Sequence, residues 1–558
     1  MENRALIIGG IAVVAAIVGA IISLFFNFDA GDAEKRFGEG ARSALESSKS
    51  GKARGSVERP ENEVDSSKGL PPGMAFAAAA MRALLEEMLK DPNALRNEVI
   101  LRFTDDEAFA DFLARARAEG VKLISTLDGL LAVRLKFENG QALHNELAQL
   151  DGDSVSLEPN FIYTTPSFNS PDGSTTGGIQ EGAQPVGYDF REIIGLHADN
   201  SNYGAGVTIA IIDSGVTSHP TFREGQITQF DLVGGDLTQA AYEHGMAVTS
   251  VAVGNDPTAP GVAPGAEVIS IRVLDENGET NSFLMAEALQ IAIQNDADIA
   301  NMSIGSRSES DLLGQVIDDA TASGMVIVAP SGNDGSGQVM FPASHPSTVA
   351  VGAVDGSLQH MAFSTTGEEL TIAAPGYRLP AAGVEGNVIG FTGTSGAAPV
   401  ITGGIASVMS EYGVNSSTAA QIVVDLSAEA HAPGYDTHTG SGAVDLTTLA
   451  WGDDPSVTDA RIAGQVVEGE VLKVTAENGG NSTLFDVSVD TSVDGQSVQS
   501  SAPFIEPGET ATFEISLDLS AVEDPARVEV TSTVGFGGST GSEDVVPRND
   551  TMTTTFSN

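Results

Sequence analysis

Between residues 190 and 452 the chain repeats one pattern: a short apolar run without polar alternation, then a stretch with helical spacing. The runs include Gly206-Val-Thr-Ile-Ala-Ile-Ile212, Val268-Ile-Ser-Ile-Arg-Val-Leu274, Asp298-Ile-Ala-Asn-Met302 and Val326-Ile-Val-Ala329. Leu284 to Gln294 and Leu312 to Ser323 are helical segments between them. A strand that is apolar on both faces must be covered on both, which is the condition of a parallel sheet flanked by helices. The region therefore reads as an open α/β sheet, with functional groups expected at the strand C-terminal ends.

Residue types suited to acyl-transfer chemistry fall at such positions. Asp213 ends the first apolar run, in Ala210-Ile-Ile-Asp213-Ser-Gly-Val216. His244 lies in Glu243-His-Gly-Met-Ala-Val-Thr249, and Ser395 in Gly393-Thr-Ser-Gly-Ala-Ala-Pro399, just before an apolar helical run from Ala397 to Met409. A serine hydroxyl needs a base to take its proton, an imidazole can serve near neutral pH, and a carboxylate can fix the imidazole tautomer. Asn333, in Ala329-Pro-Ser-Gly-Asn333-Asp, can donate an amide hydrogen to an oxyanion. Each segment alone has a plainer reading. Asp-Ser-Gly after a strand is often a turn, Gly-Thr-Ser-Gly can be a helix cap, and a loop asparagine is common. All four together point to a hydrolase.

From about Gly195 to Leu449 the chain resembles the subtilisin-like serine proteases. The same resemblance takes in Gly261-Val-Ala-Pro264, Asn301-Met-Ser-Ile-Gly305, the stretch Phe341 to Asp355, Ala374-Pro-Gly376 and Gly440-Ser-Gly-Ala-Val444. It implies an endopeptidase acting on protein or peptide substrates, with Asp213, His244, Ser395 and Asn333 as catalytic residues. Ser303, Ile304 and Gly305 would pair with extended substrate, Ser331 and Gly332 would help line the pocket before the cut, and Leu274 to Gly278 would form the far side of the cleft. The small residues here suggest a pocket open to large apolar side chains. His219, followed by proline, matches a structural position of the family, while His197, His345, His360, His431 and His438 have no matching context and His144 lies upstream. The chain departs from the family at Met246-Ala247, Gly396 and Val400. No cofactor is implied. Calcium as a structural ion suits the many carboxylates, but Ala252 to Pro260 is short for a calcium loop and no spacing specifies a site.

Residues 97 to 163 read as a small α+β unit of order βαββαβ, and its close, Val155 to Tyr163, resembles the inhibitor propeptides of the same family. That implies an intramolecular inhibitor followed by a processing linker, 164–189, with a first cut between Tyr163 and Asn169. Residues 457 to 557 carry period-2 segments at 470–476, 485–489, 511–516 and 527–531, read as an all-β, Ig-like sandwich of the kind appended to exported enzymes. A catalytically inactive adhesion protein on a protease scaffold is the alternative reading.

At the N-terminus, Ala5 to Phe26 is uncharged and as a helix would span about 33 Å, enough to cross a bilayer core. It is read as a membrane anchor or uncleaved signal, and 29–72 as a flexible linker, which implies an extracytoplasmic, membrane-tethered precursor whose catalytic part can be released. The chain has 76 acidic and 27 basic residues, a net charge of −49 and no cysteine. Lysine nearly vanishes after Lys136, where Lys473 alone remains. Such a surface excludes nucleic acid as a partner and is eased by salt; disulfides, thiolate metal sites and a cysteine nucleophile are excluded too.

Overall fold

Seven parallel strands form the central sheet of the region read as α/β. The computed structural model describes residues 76–166, 180–449 and 460–557, apart from scattered internal positions and the longer stretches 517–526 and 538–550. The apolar run 5–26, the linker 29–72 and most of the processing linker lie outside the described residues. Among the described residues no helix is long and apolar enough to cross a membrane. Two compact units are present, Met1–Phe161 and Ile162–Asn558.

In the first unit, β1 (Ala94–Phe103), α1 (Asp106–Ala114), β2 (Val121–Leu127), β3 (Ala132–Phe137), α2 (Gly140–Leu147) and β4 (Val155–Thr164) follow in that order. They form an antiparallel sheet ordered β4-β1-β3-β2. Asp105 and Asn139 start the two helices by accepting the N–H of Ala108 and Ala142, caps worth about 1 kcal/mol each. Helical positions within 76–90 bury Ala77, Met81, Leu84 and Met88, a spacing that puts all four on one face. Glu146 is fully buried but not isolated: Arg115 and the N–H of Ala118 donate to it, each at 2.7 Å.

The second unit opens with β5 (Thr208–Asp213), β6 (Ile227–Asp231) and α3 (Glu243–Val253), then a hairpin of β7 (Asn255–Asp256) and β8 (Ala259–Pro260). Next come β9 (Glu267–Arg272), β10 (Glu279–Asn281), α4 (Ser282–Gln294), β11 (Ile299–Asn301), α5 (Asp311–Ala322), β12 (Val326–Pro330), β13 (Thr348–Val354) and β14 (Ile372–Pro375). The hairpin β15 (Leu379–Ala382) and β16 (Val388–Phe391) leads into α6 (Thr394–Tyr412) and α7 (Ser416–Asp425). The sheet order is β14-β13-β12-β11-β5-β9-β6. The chain thus goes from β5 to the edge strand β6, returns to β9 between them, and then switches to the other side of β5 at β11, leaving a crevice at the C-terminal ends of β5 and β11. Burial explains the unalternated strands: Ile209, Ile211, Ile299 and Val328 enter the core on one face, while Ala210, Ile212, Ala300 and Ile327 are as completely covered on the other.

Among the described residues the C-terminal region has seven strands: β17 (Ala460–Glu468), β18 (Val471–Asn478), β19 (Leu484–Val493), β20 (Gln496–Ile505), β21 (Thr510–Ser516), β22 (Arg527–Gly537) and β23 (Thr551–Ser557). Two antiparallel sheets, β17-β18-β21 and β20-β19-β22-β23, enclose Leu472, Val474, Val487, Val489, Ile515, Val530 and Val534. Three strands, β17, β20 and β23, go beyond the four that period-2 spacing picks out. β20 holds Pro503 and sits at a sheet edge, where a missing N–H costs no ladder bond. Arg461 at the start of β17 pairs with both Asp445 and Glu477.

Candidate active site

Asp213 is the last residue of β5, fully buried at the crevice. One of its oxygens, Oδ1, accepts the N–H of Ser214 at 2.7 Å, and Nδ1 of His244 lies 2.9 and 3.0 Å from Oδ1 and Oδ2. His244 is the second residue of α3, and the start of that helix is pressed onto the turn after β5. Gly245 makes this possible: a Cβ there would stand 2.4 Å from the Gly215 carbonyl, while its N–H donates to Ser214 Oγ. The Asp-Ser-Gly and His-Gly pairs are thus two halves of one contact.

Ser395 is the second residue of α6 rather than lying ahead of it, because α6 starts earlier than its apolar run. Gly393 cannot cap the helix with a side chain, and Asn333 does so from the loop after β12. Its Oδ1 accepts both the N–H and the hydroxyl of Thr394, at 2.9 and 2.8 Å. Gly393 has φ 136°, and a Cβ on it would sit 2.9 Å from Asn333 Nδ2, so the approach requires glycine. Pro399 has no N–H for the carbonyl four residues earlier, which is that of Ser395. Ser303 Oγ donates to that carbonyl instead, at 3.2 Å. Ser395 is 2% exposed, and its hydroxyl has no hydrogen-bond partner among the described residues. His244 meets the ring of Phe391 edge-on, with centroids 5.4 Å apart.

Beside these groups lies an extended segment of the chain itself. Ile162 to Thr164 runs antiparallel to β10, and Thr164 also exchanges two backbone hydrogen bonds with Gly305, at 3.1 and 2.9 Å. The strand is held on both edges, by Glu279–Asn281 on one side and Gly305 on the other. The far rung is β10, just beyond the 274–278 loop expected in that role. Tyr163 is completely buried; its hydroxyl donates to the Ser308 carbonyl at 3.0 Å and its ring meets Phe341. Three residues on, the Pro166 carbonyl accepts from Asn333 Nδ2 at 2.8 Å. Thr164 to Pro166, the expected start of an exposed linker, is half-buried to buried.

Against the expectation of a pocket open to large apolar side chains stands Met340, which lies beside two of the glycines. A Cβ on Gly305 would fall 3.2 Å from Met340 Cβ, and one on Gly332 would fall 2.9 Å from its Sδ. The methionine therefore fills the space that the two glycines leave. Ser331 is fully buried, its hydroxyl without a partner among the described residues, and Ile304 is buried as well. His219 has a structural setting, accepting the Thr221 N–H and lying 3.1 Å from the Asn387 carbonyl. Nothing in the spelling of the sequence singles out Met340 or Pro166, since an apolar residue in a loop and a proline after two threonines carry no chemical signature.

The stretch considered for calcium is the end of α3 and the β7–β8 hairpin. Among the described residues, the side chains grouped closely enough to hold a metal are His431, Asp436 and His438, a nitrogen-rich set that calcium does not favour.

An open parallel sheet with a buried carboxylate bonded to an imidazole, and a serine at a helix start capped by a loop amide, carries the residue types of an acyl-transfer hydrolase. The sequence profile of the subtilase family matches residues 204–442. The chain is 34% identical to subtilisin E of Bacillus subtilis (strain 168) over 348 residues, 60% of this chain and 87% of that protein. It is 29% identical to an alkaline protease of Alkalihalobacillus alcalophilus, covering 63% of this chain and 89% of the other. The subtilisin of Bacillus pumilus is matched along its whole length at 33% identity, over 48% of this chain. The chain belongs to the subtilase family and is a serine-type endopeptidase.

Proposed function

We propose that Asp213, His244, Ser395 and Asn333 cut peptide bonds through an acyl-enzyme, and that the first bond they cut is the chain's own, between Pro166 and Ser167. The hydrogen bond from Asn333 Nδ2 to the Pro166 carbonyl carries this reading, since it holds one carbonyl of the chain on the donor that an oxyanion would need. Ser395 Oγ attacks the Pro166 carbonyl carbon as His244 Nε2 takes the hydroxyl proton. Asp213 holds the opposite ring nitrogen and stabilises the imidazolium. The negative charge that develops on the Pro166 oxygen is met by the Asn333 amide and the backbone N–H of Ser395 in the first turn of α6. As the C–N bond breaks, His244 gives its proton to the Ser167 nitrogen. Water, deprotonated by His244, then releases Pro166 as a carboxylate and restores Ser395.

Ser303, Ile304 and Gly305 serve as the edge on which substrates pair, an instance of strand addition in which Thr164 occupies the place of a substrate residue. Residues 97–166 act as the intramolecular inhibitor. With Met340 between Gly305 and Gly332, the site accepts a small or cyclic side chain before the cut, as Pro166 is, while a buried aromatic three residues earlier, as Tyr163 is, anchors the peptide. If 5–26 anchors the precursor, the anchor stays with the N-terminal part and the catalytic part leaves the membrane. No observation at the site favours the inactive adhesion reading.

Mass spectrometry of the purified protein tests the proposal. The processed form is expected to begin at Ser167, and a Ser395→Ala chain is expected to stay uncut. A mature N-terminus generated at another bond would overturn the assignment of Pro166, and cutting of the Ser395→Ala chain in isolation would overturn the assignment of the nucleophile.

A further inference from the structure

Three imidazoles and a carboxylate meet away from Asp213, His244 and Ser395, on two segments that the proteolytic reading leaves without a role. His431 and His438 stack at 4.2 Å between centroids, 14° from parallel. Nδ1 of each lies 3.7 Å from Asp436 Oδ1, and the ligand atoms of the three residues all lie within 4.8 Å of one another. His360 approaches from the turn after β13, edge-on to His438 with ring centroids 5.0 Å apart. Its Nε2 is buried and has no hydrogen-bond partner among the described residues.

We propose that His431, Asp436, His438 and His360 form a structural site for a divalent transition ion of the zinc class. The three ligand atoms lie within 4.8 Å of one another, and His360 Nε2 would supply the fourth position once the stacked His431 and His438 rings turn toward a common point. Tetrahedral zinc binds nitrogen at about 2.0–2.1 Å, so its ligand atoms stand roughly 3.4 Å apart. The observed spacings need to close by up to about 1.4 Å, within the reach of side-chain rotations. The imidazole majority selects zinc-like ions over calcium or magnesium. The carboxylate is oriented in advance: Oδ1 accepts the N–H of His438 and Thr439, at 2.6 and 3.0 Å, and Oδ2 accepts the Thr439 hydroxyl. His431 and His438 side chains are 45% and 41% exposed, which leaves an entry path.

The ion would tie the 431–440 loop to the segment that continues through Thr365, whose N–H bonds Gly332 and whose hydroxyl bonds Asp334, on either side of Asn333. Its effect is therefore on stability, with no part in the proton transfers.

The test uses the full Ser395→Ala chain, which cannot digest itself, stripped with a chelator and titrated with Zn2+ against a chromophoric competitor. About one Zn2+ per chain should bind, with a rise in Tm on addition and a four-coordinate visible spectrum when Co2+ replaces it. A His431→Ala, His438→Ala double variant should bind about 100-fold more weakly or worse, while His345→Ala, which alters another His–Asp pair, should match the parent. Equal Tm values of these chains in chelator would show that all are folded; should the double variant fail to fold, His431→Ala decides alone. Absence of saturable binding, or binding that the histidine variants retain, would overturn the site. Unchanged affinity in His360→Ala would overturn the fourth ligand.

Discussion

Asn333 serves two groups at once. Its Nδ2 is aimed at the Pro166 carbonyl, and its Oδ1 is committed to the N–H and hydroxyl of Thr394 at the start of α6. Asn333→Ala should therefore slow self-cleavage by about 10²–10³, the size measured for loss of this donor in a subtilisin itself, and lower Tm by loss of a cap worth about 1 kcal/mol. A time course on gels and a thermal melt would check the two effects separately; an unslowed cleavage would remove Asn333 from the oxyanion site. The neighbouring Asp334 gives a pH prediction. Burial opposes its charge, but Arg307, Ser336 and Thr365 outweigh that and hold its carboxyl below the usual range. The stability it adds is fully present above the unfolded value of about 3.9 and is lost as pH falls through the lower folded value. The Tm gap between the Ser395→Ala chain and its Asp334→Asn derivative should be constant near neutrality and shrink below about pH 4. A gap that persists unchanged into stronger acid would contradict this.

At the scale of elements, what was legible in the sequence is what has local cause. The unalternated runs of β5, β9, β11 and β12 announce a doubly covered sheet, and the strand end at Asp213 announces the crevice. His244 and Asn333 were found because their segments match the family pattern together with those of Asp213 and Ser395, although each alone has a plainer reading. Met340 was not legible, since it acts by proximity to Gly305 and Gly332, residues 35 and 8 positions earlier in the chain. Nor was the start of α6, set by a cap from Asn333 that lies 61 residues away in sequence. The edge strand β20 was hidden because it packs only one face and reads as polar, and His431 and His438 lacked a motif because their partner His360 comes from another loop. Met340 yields the prediction proper to this scale. Met340→Ala should raise kcat/KM for peptides with phenylalanine or leucine before the cut by 10-fold or more relative to those with proline or alanine, in line with the roughly 1–3 kcal/mol that pocket volume can contribute to discrimination. An unaltered preference in a peptide panel would show that Met340 lies outside the pocket.

For the whole molecule, 76 acidic against 27 basic residues set a field that no local pairing cancels. Screening shortens from about 10 Å at 0.1 M salt to about 3 Å at 1 M, so the Tm of the Ser395→Ala chain should climb across that range. A flat or falling Tm would mean that repulsion is not what limits stability. The buried Tyr163 has a different consequence. Its ring, its hydroxyl bond to Ser308 and the pairing of 162–164 on two edges all lie upstream of the Pro166 carbonyl, so hydrolysis there leaves each of them intact. Severing the backbone would thus precede the appearance of activity toward other proteins: the newly made carboxyl end stays in its groove as a slowly departing product. Progress curves on an external peptide should begin with a lag, and the lag should shorten once the first freed molecules start to digest the departing segment of their neighbours.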